Sequence, residues 1–207
     1  MIPRAKKNLH ECEYHLNKML SSRHVEELEI NFAAFVNSAR SITWVLQNEF
    51  IGNSLYKEKF LKWYGDPKNP IEGTKAYEMK NDELCKFFNS LRTFIAKEGI
   101  NKINCNTTIK RFNTSTDLVE KPTNSSVVIN NKGIYYLVNK GTAQEDLLPV
   151  VTKGDIATTI FIENAPTKHR GKKIENNNLI NISTLYFLYL KYLVEEWTEI
   201  INSKPDS

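Results

Sequence analysis

Leu28, Phe32, Phe35, Ala39, Ile42 and Leu46 recur at alternating spacings of four and three, the repeat that lines side chains along one stripe of an α-helix. A shorter helix is expected before it, from about Ala5 to Leu20, with Ser21, Ser22, Arg23 and His24 separating the two. After it, Gly52, Asn53 and Ser54 interrupt the pattern. A short helix follows over Tyr56, Phe60, Leu61, Trp63 and Tyr64, and Gly65, Asp66 and Pro67 stop it. Pro70 and Gly73 mark a surface loop between Lys68 and Lys75. The next helix is expected to start near Asn81 or Asp82, either of which can cap it. Leu84, Phe88, Leu91 and Ile95 are its buried stripe and Gly99 its stop.

From Lys102 the pattern changes, with Thr, Val, Ile and Tyr rising and helix formers falling. Ser126 to Ile129 and Ile134 to Val138, separated by a turn ending in Gly133, predict a β-hairpin. Ile103 to Phe112 and Ala157 to Glu163 are further strand candidates. A hairpin alone is marginal in water, so a small sheet resting on the helices is expected. The charged loop Pro166 to Lys173 then leads to a last helix, Leu179 to Asn202, apolar over much of its circumference and so expected between neighbours. The chain therefore divides into 1–101, the first part of a helical bundle; 102–164, a β insertion; and 165–207, a basic loop and the last bundle helix.

Composition narrows the class. The chain has 207 residues, 41% hydrophobic and 25% charged, with a net charge of +4, which describes an ordinary globular protein able to bury a core without metal or disulfide. No apolar run is long enough to span a bilayer, and the Met1 to Asn8 segment lacks a signal-peptide core, so a cytoplasmic location without membrane association is expected. Cys12, Cys85 and Cys105 are odd in number and widely spaced, as reduced thiols would be. Among His10, Cys12 and His15 only the last two share a helical spacing, and no second pair completes a ligand set, so neither metal nor cofactor is expected. Adjacent carboxylates such as Asp82 and Glu83 point to different sides of a helix and read as solubilising charge.

Three groups of residues bear chemistry. Arg92 sits at the edge of the Leu84/Phe88/Leu91/Ile95 stripe, where its guanidinium is placed either to grip a phosphate or to pair with a nearby carboxylate at the rim of the core. Ala33, Asn37, Arg40, Trp44 and Gln47 repeat four and three on another face of the long helix. They suit a cleft or a dimer interface anchored by Asn37, Trp44 and Gln47, or else a face packed on the last helix, with Arg40 meeting Glu195 or Glu196. Lys168, Arg170, Lys172 and Lys173 form a basic stretch able to touch a nucleic-acid backbone, with Tyr135 or Tyr136 available to stack on a base; the alternative is a solvated loop.

The helix from Leu84 to Glu98, with Arg92 beside its apolar stripe, and the long helix before it resemble the HEPN superfamily. The signature of that superfamily is an arginine and a histidine with four to six residues between them. The resemblance implies a mainly α (α+β) fold, an antiparallel helical bundle that often dimerises, with paired motifs cutting RNA across a cleft without metal. It also implies a setting in host defence or toxin–antitoxin systems. The position for the shortest-spaced histidine is Lys97, a cation suited to steadying a phosphate and a poor base. The expected function is accordingly an RNA- or protein-binding module whose ribonuclease motif has decayed. One alternative is an active metal-independent endoribonuclease in which His10, His15 or His24 supplies the base; another is a structural subunit with no RNA role.

Overall fold

The computed structural model describes residues 2–22, 25–98, 103–111, 116–119, 121–130, 133–152 and 155–203. The protein is mainly helical with small antiparallel sheets, and it divides into two compact units: Met1–Asn101 with Asn164–Ser207, and Lys102–Glu163. Among the described residues no helix is long and apolar enough to cross a membrane.

The first unit holds α1 (Pro3–Ser21), α2 (Val25–Ile51), α3 (Lys57–Tyr64), α4 (Lys75–Asn81), α5 (Glu83–Glu98) and α6 (Leu179–Asn202). All six stripe residues of α2, Leu28 through Leu46, are buried, as are Leu84, Phe88 and Leu91 of α5. α6 packs on α1, α2 and α5, and its apolar circumference is explained by burial from Leu179 to Trp197. Phe88 is the meeting point of three helices. Its ring stacks on Tyr186 of α6 at 4.2 Å between centroids and stands edge-on to Phe32 and Phe35 of α2 at 6.5 and 5.9 Å, geometries that add to the area term of burial. A second aromatic cluster fixes α3: Phe60 lies edge-on to Trp197 at 5.1 Å, and Trp63 stacks on Trp197 at 5.2 Å.

α4 corrects the sequence reading, which ran the preceding loop up to Lys75 and began the next helix near Asn81. Seven residues are too short for a periodic signal, and the helix is set by its ends. The Thr74 hydroxyl accepts from the Tyr77 N–H at 3.4 Å as its N-cap. Gly65, at φ 90°, permits the turn before it, since a Cβ there would meet the Thr74 Oγ1 at 2.5 Å.

The stretch expected as a charged loop is a hairpin, and Asp82 and Glu83 are its anchors and not solubilising charge. β8 (Lys168–His169) and β9 (Lys172–Lys173) pair through a two-residue turn in which Arg170 and Gly171 both have positive φ, 50° and 74°, the requirement of a type I′ turn. The Asp82 carboxylate accepts from the Cys85 N–H at 3.0 Å, capping α5, and also from the Arg170 N–H at 2.6 Å and His169 Nδ1 at 3.1 Å. Glu83 Oε2 accepts from the Thr167 N–H, the Thr167 hydroxyl and the Lys168 N–H at 3.0–3.2 Å. Burial works against the charge of Asp82, yet the bonds from His169, Arg170 and Cys85 outweigh it and lower its pKa from 3.8 to about 2.

In the second unit, β1 (Ile103–Arg111) pairs antiparallel with β7 (Asp155–Ile162), and β3 (Ser126–Asn130), β4 (Gly133–Val138) and β5 (Asp146–Pro149) form a three-stranded sheet. β2 (Leu118–Val119) pairs with β6 (Val151–Thr152). Tyr135 and Tyr136 are buried, and the Tyr136 hydroxyl donates to the Val119 carbonyl at 3.2 Å. They are core residues of this unit and not platforms for a base.

Asp82→Ala should lower stability at neutral pH by about 2 kcal/mol, because it removes a buried charged acceptor from three donors, as read by denaturant unfolding. The carboxyl is depressed in the folded chain, so its stabilisation is complete above about pH 4 and is lost as pH falls toward about 2. The variant should lack that acid-limb loss, and a parent and variant with parallel curves from pH 5 to 2 would contradict the assignment.

Candidate functional site

The second face of α2 and the middle of α5 enclose a pocket of about 520 Å³ lined by Asn37, Arg40, Ser41, Trp44 and Arg92. The packing of Phe88 explains the convergence. Arg92 follows Phe88 by one helical turn, so the contact that seats Phe88 on α2 also delivers Arg92 to the flank of that helix. Asn37, Arg40, Ser41 and Trp44 are spaced so that they share the facing side of α2.

Arg40 is half-buried and Arg92 exposed. Among the described residues no carboxylate lies within ion-pair distance of either guanidinium. Arg40 is felt inside the core as well: burial pushes the Tyr64 and Tyr186 phenols up, and its positive charge opposes that rise. Trp44 is 60% exposed, a large apolar face left in solvent at the rim of a cationic pocket. Ser41 was not legible as a site residue, being a small polar side chain within a helical run; its hydroxyl donates to the Asn37 carbonyl at 2.9 Å.

The remaining sequence candidates separate from this pocket. Gln47, expected beside Trp44 at an interface, instead donates from Nε2 to the Tyr64 hydroxyl at 2.8 Å and belongs to the α2–α3 packing. Glu196, a possible partner for Arg40, takes Lys75 Nζ at 2.9 Å, while Glu195 is exposed. Lys97 lies within α5, but its side chain, like that of Glu98, is outside the described residues. In the basic stretch, Lys168 and Lys172 are exposed, whereas Arg170 pairs with Glu78 at 2.8 Å and lies over the Tyr192 ring, and Lys173 pairs with Glu175 at 3.3 Å.

Among the described residues no histidine lines the pocket. His15 Nδ1 lies 3.3 Å from Asn31 Oδ1, His10 is exposed, and His24 falls outside the described residues. Cys12 and Cys85 are buried thiols whose pKa burial pushes far up, so neither is a nucleophile; the Cys105 side chain is outside the described residues. Two guanidiniums, an amide, a hydroxyl and an indole can hold an anion and a flat ring. The described lining offers no imidazole or carboxylate to move a proton.

Trp63 is half-buried and Trp197 fully buried, so Trp44 should dominate the quenchable emission. Trp44→Phe should remove most acrylamide-accessible fluorescence while changing unfolding free energy by less than about 0.5 kcal/mol. Equal quenching of parent and variant would show that Trp44 is covered.

No family model matches the chain, and no curated protein and no solved structure shows significant similarity to it.

Proposed function

We propose that this chain is a HEPN-like module that binds single-stranded RNA through the Asn37/Arg40/Ser41/Trp44/Arg92 pocket and does not cut it. One observation carries the reading: arginines from two different helices converge on one pocket, with no carboxylate paired to either among the described residues, beside an exposed indole. Two guanidiniums that lack a counter-charge repel each other, and a bridging phosphate relieves that repulsion while its oxygens match their donor forks. Trp44 supplies a stacking face for the adjacent base, an interaction tolerant of sequence and worth about 1–3 kcal/mol. The histidine that a cutting HEPN motif requires is replaced by lysine at residue 97, and the described lining supplies no substitute base.

The exposure of Trp44 also favours a second reading, in which another copy of this chain covers it as a dimer anchor. Sedimentation of the parent and of Trp44→Ala separates the two, because only a dimer loses mass on that substitution.

Fluorescence anisotropy with a labelled single-stranded RNA should show binding at low salt whose affinity falls as salt rises. Arg40→Ala and Arg92→Ala should each weaken it and reduce the log–log salt slope by about 0.7, the value of one phosphate contact on a single strand. No binding at low salt would overturn the proposal. Metal-free cleavage that depends on Arg92 would replace it with the endoribonuclease alternative.

A further inference from the structure

A second pocket, of about 380 Å³, lies between the β8–β9 hairpin and the first turns of α6, lined by His169, Lys172, Ile174, Asn176, Asn181 and Leu185 together with Lys173 and Glu175. Its walls are held from behind. Asp82 takes His169 Nδ1 at 3.1 Å, and Tyr189 stands edge-on to the imidazole at 5.3 Å between centroids. The opposite wall is tied internally: the Asn181 amide donates to the Asn176 carbonyl, and Asn178 caps α6 by accepting from the Asn181 N–H at 2.8 Å. With Nδ1 committed to a carboxylate that also holds the Arg170 and Cys85 N–H groups, the imidazole is fixed in orientation. Its Nε2 has no protein partner among the described residues: in the neutral ring held this way it accepts, as from the P–OH of a phosphate monoanion, and in the protonated ring it donates to a phosphate oxygen.

We infer that this pocket binds a small organic phosphate, its phosphate between His169 and Lys172 and its apolar body against Ile174 and Leu185. The charge present suits one phosphate group and no more. Arg170 pairs with Glu78 and Lys173 with Glu175, which leaves Lys172 as the lining cation without an ion pair among the described residues, with His169 beside it. A nucleic-acid strand needs a track of cations along its backbone, and in this hairpin two of the four Lys and Arg side chains, Arg170 and Lys173, are paired within the chain. Ile174 is buried and Leu185 half-buried, so the pocket offers an apolar floor as well as a cationic rim, the mixture expected of a small-molecule site. A bare phosphate would leave that floor unused. Asp82 acts here as a positioning residue, through His169.

Phenyl phosphate is the probe, titrated into full-length Arg40→Ala/Arg92→Ala protein so that the α2–α5 pocket does not contribute, with NMR signals of His169, Ile174 and Leu185 as the readout. Saturable shifts confined to those residues are expected, and inorganic phosphate should bind about tenfold more weakly for want of the apolar contact. Lys172→Ala, at an exposed position, should weaken phenyl phosphate by about tenfold, and His169→Gln should do the same where its unfolding curve shows it folded. Absence of saturable shifts at millimolar probe, or a Lys172→Ala variant that binds as well as the parent, would overturn the inference. So would a short RNA that shifts these signals where phenyl phosphate does not.

Discussion

The stack of Phe88 on Tyr186 is the contact on which the rest of the helical unit depends. It joins α5 to α6, and the edge-on approach of Phe32 and Phe35 to the same ring joins both to α2. A side chain at the junction of three helices sets their rotation as well as their spacing, because the stripes on either side of it must then bury together. Arg92 inherits its place from that rotation. One turn along α5 from Phe88, it comes to α2 where Asn37, Arg40, Ser41 and Trp44 are presented, so the candidate site is a consequence of core packing and not of a loop.

The two positively charged regions differ in how their charge is used. In the hairpin, Arg170 and Lys173 are paired with Glu78 and Glu175, and backbone N–H groups of the same segment are held by Asp82 and Glu83. Half of the cationic side chains there are paired within the chain, and Lys168 and Lys172 are exposed. In the α2–α5 pocket the guanidiniums have no carboxylate among the described residues, and Trp44 remains in solvent. Cations without an ion pair beside an uncovered indole are free to take an anion and a flat ring, which is the observation on which the proposed function rests.

Much of the helical architecture was legible because it rests on local periodicity. The α2 stripe, the α5 stripe, the extent of α6 and the β3–β4 hairpin all repeat over enough residues to be read directly. α4 was missed because seven residues bounded by a Thr cap carry no period. The β8–β9 hairpin was missed for a different reason: its strands are two residues each, and its stability comes from carboxylates 84 to 88 positions away in sequence. For the site, Asn37, Arg40 and Trp44 were legible together as one face of α2, and Arg92 separately at the edge of the α5 stripe. Their convergence, the departure of Gln47 to Tyr64 and the pairing of Glu196 with Lys75 are long-range facts that no spacing encodes.

Ultraviolet crosslinking of the parent protein to a short single-stranded RNA, with the modified peptides mapped by mass spectrometry, tests the central claim most directly because it reports where RNA sits and not only whether it binds. Crosslinks at Trp44 and in the peptide containing Arg92, lost in Arg40→Ala/Arg92→Ala protein, are the predicted result. Crosslinks restricted to the 168–173 hairpin or to residues 102–163, unchanged by that double substitution, would contradict it.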